Sequence, residues 1–199
     1  MTPERFAEYR AMIREQRAFE VKQSGSLDDK SFLARVIRAA LAMANLQDGG
    51  VIVLGVTDGN PLEWTGMTAD HLTSWSNLDA FADKLASYSD PPITFELDVH
   101  VDDDACSFAV IKVDEFADVP VICKKDYPEI LQAGHCYVRS RRKPESVPVP
   151  GQAEMRELLD LASEKALRRV LGTVERAGGR IVGAPTPDAL FDEQAGDLA

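Results

Sequence analysis

Apolar residues recur along this chain with two different periods, and each switch between them marks a new element. In "PERFAEYRAMIRE", Phe6, Tyr9, Met12 and Ile13 stand at helical spacing and predict a helix over residues 3–15. "AFEVKQS" then alternates. It predicts a short strand with Phe19 and Val21 on one face and Glu20 and Lys22 on the other. "SGSLDD" breaks the pattern, and its Ser and Asp side chains suit the cap of a new helix near Asp28. That helix carries Phe32, Leu33, Val36, Ile37, Ala40 and Leu41 and reaches Ala44. "NLQDGG" ends it, because Gly and Asn tolerate the left-handed backbone of helix ends. "VIVLGV" is a continuous apolar run between turn signals, as a buried strand requires, and "TDGN" turns the chain.

Leu72, Trp75, Leu78, Phe81 and Leu85 predict a third helix over residues 68–88, stopped by "DPP". "ITFELDVHV" and "CSFAVIKV" alternate on either side of the acidic turn "DDDA", so an antiparallel hairpin is predicted. "VPVICKKDYPEILQAGHCYVRS" reads as shorter strands with a turn at Gly134, and "KPESVPVPG" as a proline-rich connector. Residues 151–177 form a last amphipathic helix, with Met155, Leu158, Leu159, Ala162, Ala166, Val170 and Val174 on its apolar side. From Gly178 the composition turns to Gly, Pro, Ala and Asp, a flexible acidic tail. The expected organisation is one domain over residues 1–150, a helix over 151–177 packing on it, and a tail over 178–199. Its class is α+β, a mixed, largely antiparallel sheet with packed helices.

A chain of 199 residues is long enough for one good core. No apolar run approaches the roughly 20 residues that cross a bilayer, so no membrane partner is expected. Cys106, Cys123 and Cys136 lack paired short spacing, which points to free thiols in a reducing cytoplasm. The net charge of −11 weighs against a nucleic-acid partner, but its distribution does not. Five acids crowd Glu96 to Asp104, whereas Lys124, Lys125, Arg139, Arg141, Arg142 and Lys143 meet only Asp126 and Glu129 between them. "RSRRK" therefore stands out as a phosphate-contacting surface for RNA or DNA.

"FEVKQS", "ALAMANLQDGG", "VIVLGVTDGN" and "PLEWTG", in that order, resemble the divergent Alba-like domain of the Schlafen family. "CSFAVIKV", "VPVICK" and "HCYVRSRR" are similar to its closing strands, so the likeness covers about residues 13–145. It implies a Schlafen/Alba-like fold. Nuclease members of that family cleave RNA with metal held by three acids: a Glu, a second Glu five residues on in a Glu-x-Lys strand, and an Asp after the Gly-Val strand. Glu15, Glu20 and Asp58 occupy those places, and Lys22 matches the lysine. Many bacterial members are known only as DNA-binding domains, some beside ATPase or winged-helix modules. No such module follows in this sequence, so the domain is expected to stand almost alone.

The residues themselves leave two outcomes open. Glu15 and Glu20 can converge only where helix gives way to strand, and Asp58 joins them from the end of a neighbouring strand. Such carboxylates suit Mg²⁺ or Mn²⁺, with Lys22 offsetting phosphate charge. The alternative is a solvated Glu15, a Glu20–Lys22 surface pair worth under ~1 kcal/mol, and a turn-forming Asp58. Gly49, Gly50 and Gly55 precede no G-K-[ST], so no nucleotide cofactor is expected. His100, His135 and the cysteines lack zinc-site spacing, and three scattered histidines make no triad. The leading expectation is a nucleic-acid-binding protein, a metal-dependent endoribonuclease acting on structured RNA such as tRNA. Its rivals are a non-catalytic DNA-binding or regulatory module and a protein-interaction subunit. A homodimer through the last helix is the minority expectation for assembly.

Overall fold

The structure, a computed structural model, describes residues 2–178. Of the expected tail only Gly178 falls among them. Helix α1 (Pro3–Arg10) starts where Thr2 accepts the Arg5 N–H, and it stops short of the expected residue 15. Beyond it, Gln16 and Phe19 exchange N–H···O bonds of 2.9 and 3.2 Å, a tight turn that diverts the chain from the helical ladder. Strand β1 (Phe19–Lys22) follows at once. Helix α2 (Lys30–Ala44) is capped by Asp29 rather than Asp28: one Asp29 oxygen accepts from Ser31 and Phe32 N–H at 2.9 and 3.1 Å. Then come β2 (Gly50–Leu54), β3 (Val56–Thr57) and β4 (Glu63–Trp64).

The helix expected over 68–88 is two helices, α3 (Ala69–Trp75) and α4 (Leu78–Ala86). The side chain of Asn77 accepts the Ala80 N–H at 3.0 Å, and this new cap replaces continuation of the first ladder. Next are β5 (Ser89–Asp90), the long hairpin β6 (Phe95–Val101) and β7 (Ser107–Val113), then β8 (Ile122–Cys123), β9 (Tyr137–Arg139), β10 (Ser146–Pro148) and α5 (Gln152–Arg176).

The main sheet has the order β1-β2-β7-β6; only β1 and β2 run parallel, with α2 as their crossover. Period-2 alternation divides its apolar residues between two layers. Ile52, Leu54 and Ile111 pack with Ile37 and Leu41 of α2, Trp75 and Phe81, while Phe19, Val21, Val53, Phe108 and Val110 pack with Phe6 and Tyr9 of α1. Strand β1 is therefore covered on both faces, and Glu20, beside Ile52 in register, is only 6% exposed. The turn into β2 needs glycine: Gly49 has φ +70°, and a Cβ there would stand 2.0 Å from the Val113 carbonyl oxygen. Buried Asn45, at the end of α2, ties this layer to the closing strands. Its amide donates to the Val121 and Tyr137 carbonyls at 2.8 and 2.9 Å and accepts the Val121 N–H at 2.8 Å.

The chain divides into two compact units, Met1–Ala162 and Ser163–Ala199. In the first, the opening turns of α5 pack through Leu158 and Leu161, whereas Met155 and Leu159 of the expected apolar stripe are exposed. In the second, α5 continues with Leu167, Val170 and Val174 exposed and Glu164 paired with Arg168 one turn on.

Candidate functional site

Glu20 does not sit on a solvated edge. Its alternation partners Phe19 and Val21 bury one face of β1, and the opposite face meets β9 and β10. There Arg139, only 1% exposed, pairs with one Glu20 carboxylate oxygen through Nη1, and Ser146 donates to the same oxygen at 3.1 Å. The other oxygen pairs with the Lys22 ammonium. Arg139 uses the rest of its guanidinium on backbone: Nε donates to the Arg17 carbonyl at 2.9 Å, and Nη2 to those of Gln16 and Pro144 at 3.1 and 2.8 Å. Burial pushes its pKa down and Glu20 opposes the shift, and the guanidinium stays a cation. The expected basic surface therefore loses Arg139. A guanidinium with this many interior partners has no face left for phosphate.

This clamp sets the geometry of what lies outside it. By holding residues 16 and 17, Arg139 fixes the turn that presents Glu15. Glu15 accepts the Val21 N–H at 2.8 Å and lines a cleft of about 410 Å³ with Lys22, Phe32, Arg35, Thr57 and Asp58. Two of the three expected acids, Glu15 and Asp58, thus reach one cleft together with Lys22, and Glu20 lies behind it. Arg35, which no sequence argument singled out, joins them from α2, three residues after Phe32 and so on the same side of the helix.

A three-carboxylate metal centre does not fit this arrangement, since both Glu20 oxygens are engaged by cations. Among the described residues no three His, Cys, Asp or Glu side chains are grouped so as to hold a metal. The cysteines are free, and burial lifts the Cys136 thiol to about 11.

The turn between β9 and β10 leaves Arg141, Arg142 and Lys143 exposed, and Arg141 lies 3.5 Å from Glu157. Its ends are pinned next to residues 16 and 17 by Arg139 and by Arg17, which donates to the Arg139 carbonyl at 3.1 Å and forks onto Glu157 with two contacts of 2.6 Å. The cationic turn is therefore held next to residues 16 and 17, the chain neighbours of Glu15. Lys124 and Lys125 belong elsewhere: Lys124 donates to the Ala86 carbonyl at 3.1 Å, and the Lys125 ammonium lies 5.3 Å from the Tyr88 ring centre.

Burial raises the Glu15 carboxyl above its ordinary 4.5, with the charges of Glu20 and Asp58 adding to the shift and the Val21 N–H and Lys22 opposing it. The folded chain thus holds this proton more tightly than the unfolded one. Its contribution is complete below 4.5 and declines as pH rises through the raised folded value. Glu15→Gln keeps an acceptor for Val21, so it should stabilise the protein at pH 7, with the gain disappearing below pH 4.5. Urea midpoints measured across that range check this, and a gap independent of pH would contradict it.

The family model described as Schlafen, AlbA_2 matches residues 15–148. No match was found among curated proteins. Among solved structures, the chain is similar to the DIP2311 protein of Corynebacterium diphtheriae at 14% identity and a TM-score of 0.46. That alignment covers 72% of this chain and 26% of the other, so the chain spans about a quarter of that protein's length. With the family match running from Glu15 through the cleft to the end of the cationic turn, the chain belongs to the Schlafen, AlbA_2 family, a nucleic-acid-related family.

Proposed function

We propose that this protein binds RNA or DNA by its phosphate backbone, along the Arg141–Lys143 turn and into the adjoining cleft at Lys22 and Arg35. One observation supports the proposal: the clamp of Arg139 holds the turn with three exposed cations next to residues 16 and 17, the neighbours of Glu15, whose cleft carries two more. Backbone contact needs a local positive surface rather than a basic protein, so the net charge of −11 is no obstacle to it. The same acidity repels nucleic acid from the rest of the surface and confines it to this one.

RNA cleavage is a second reading, favoured by Glu15. Its carboxylate, raised in proton affinity and lining the cleft with Lys22, is suited to take the proton of a ribose 2′-hydroxyl as its oxygen bonds to the adjacent phosphorus, the P–O5′ bond breaking and the leaving oxygen taking a proton from water. Glu20, closed off by Arg139, Ser146 and Lys22, contributes by holding Lys22 in place. The test is to incubate the purified protein with total RNA and with duplex DNA, with Mg²⁺ or Mn²⁺ and with chelator, reading both retardation and fragments. Retarded but intact nucleic acid in every arm supports the binding module. Fragments from RNA support the nuclease, and their dependence on chelator reports whether a metal takes part. The absence of both retardation and fragments, with RNA and with DNA at low salt, would overturn both readings.

A further inference from the structure

We propose that strand β6 is a self-pairing edge through which two copies of this chain join their sheets. The hairpin register decides which backbone groups of β6 are free. Asp114 N–H donates to the Thr94 carbonyl at 3.0 Å and Asp102 N–H to that of Cys106 at 2.9 Å, so even-numbered residues of β6 bond inward to β7. By alternation the N–H and C=O groups of Phe95, Leu97, Val99 and Val101 point outward. Strand β6 is the last in the sheet, and among the described residues no backbone partner meets those groups. The same odd residues send their side chains to the α2 side of the sheet. Phe95 and Leu97 pack partly there, while Val99 and Val101 are 47% and 58% exposed. A seven-residue edge with two exposed valines and no proline is an open template for another strand.

Charge selects a second copy in one register. Two β6 strands related by a twofold axis can centre on residue 98, 99 or 100. Centring on 98 sets Asp98 against Asp98 of the other copy, and centring on 100 sets His100 against His100. Centring on Val99 places Val99 against its own symmetry mate and Leu97 against Val101. On the α1 side it places Asp98 opposite His100 twice. The ring of His100 is already held flat against Phe6, with ring centres 3.8 Å apart. In this register Glu96 comes opposite Asp102, and both acids already have cations: Lys112 lies 3.5 Å from Glu96, and Arg10 donates to Asp102 at 2.5 Å. Each copy carries a net charge of −11, so salt should strengthen this dimer by screening the repulsion between copies.

The test is sedimentation of the full chain over a concentration series at two salt strengths. A monomer–dimer equilibrium that tightens with salt is expected. Val99→Lys sets two ammonium groups face to face on the axis and should raise the dissociation constant at least about tenfold, with the melting temperature unchanged at dilutions where both proteins are monomeric, because Val99 is exposed. Val99→Glu should do the same alone, and an equimolar mixture of the two variants should form heterodimers by native mass spectrometry. A chain that stays monomeric at high concentration would overturn the proposal. So would a dimer indifferent to Val99→Lys but lost in Leu167→Glu/Val170→Glu, which would assign association to the last helix. A monomer that binds a Lys-rich extended peptide in a Val99-dependent way would also overturn it, giving the edge to another protein.

Discussion

Replacing Arg139 by Leu should lower the stability of this protein by about 3–5 kcal/mol, the loss that follows when one partner of a buried ion pair is removed. The size follows from what remains. Glu20, itself nearly excluded from water, keeps a charge whose second oxygen has lost its cation, and the carbonyls of Gln16, Arg17 and Pro144 lose their shared donor. The double variant Arg139→Leu/Glu20→Leu should recover part of the loss, because no uncompensated charge is then buried. Urea unfolding of the single and double variants measures both. Glu20→Leu alone, which should lower stability if Glu20 anchors the buried Arg139, separates two roles for Glu20. A carboxylate present only to ligate metal stands under repulsion without one, and its removal would leave stability unchanged or raise it. A loss below about 1 kcal/mol in Arg139→Leu would mean that water reaches the pair and that the clamp is weak.

The second large effect concerns binding. Arg141→Ala/Arg142→Ala/Lys143→Ala should weaken nucleic-acid affinity and flatten its dependence on salt. Each phosphate contact removed takes about 0.7–0.9 off the slope of log affinity against log salt, so three contacts take off roughly 2–3. These side chains are exposed and leave the Arg139 clamp intact, so the fold should be unaffected. Lys124→Ala/Lys125→Ala is the control, since those lysines contact the end of α4 and Tyr88 rather than the cleft. A slope that moves with the control pair and not with the turn would transfer the binding surface to Lys124 and Lys125.

Much of the architecture was legible because periodicity is a local property. The alternation of "FEVK", the unbroken run "VIVLG" and the paired runs around "DDDA" each name a strand from a few neighbouring residues. The errors were local as well. Helix α1 continued in the pattern past Arg10 because Met12 and Ile13 keep the helical spacing, yet the Gln16–Phe19 pairing turns the chain. Asn77 passes for one more helical residue in the pattern because its capping bond shows only in the backbone it caps.

For the site, the sequence by itself brought Glu15, Glu20, Lys22 and Asp58 forward as candidates, marked "RSRRK" as the cationic stretch, and carried the family likeness. Which charges face solvent was decided by tertiary structure alone. In a run of cations every member looks solvated, but Arg139 is two residues from buried Tyr137 on the same strand and so points inward with it. That alternation was the available signal, and the surrounding charges obscured it. Its partner Glu20 is 119 residues away in the chain, a pairing that no spacing rule reaches. Local patterns decide how a segment folds and which side chains share a face. What that face meets depends on segments brought from far along the chain, and only that meeting makes Glu20 a buried anchor while Glu15 lines the cleft.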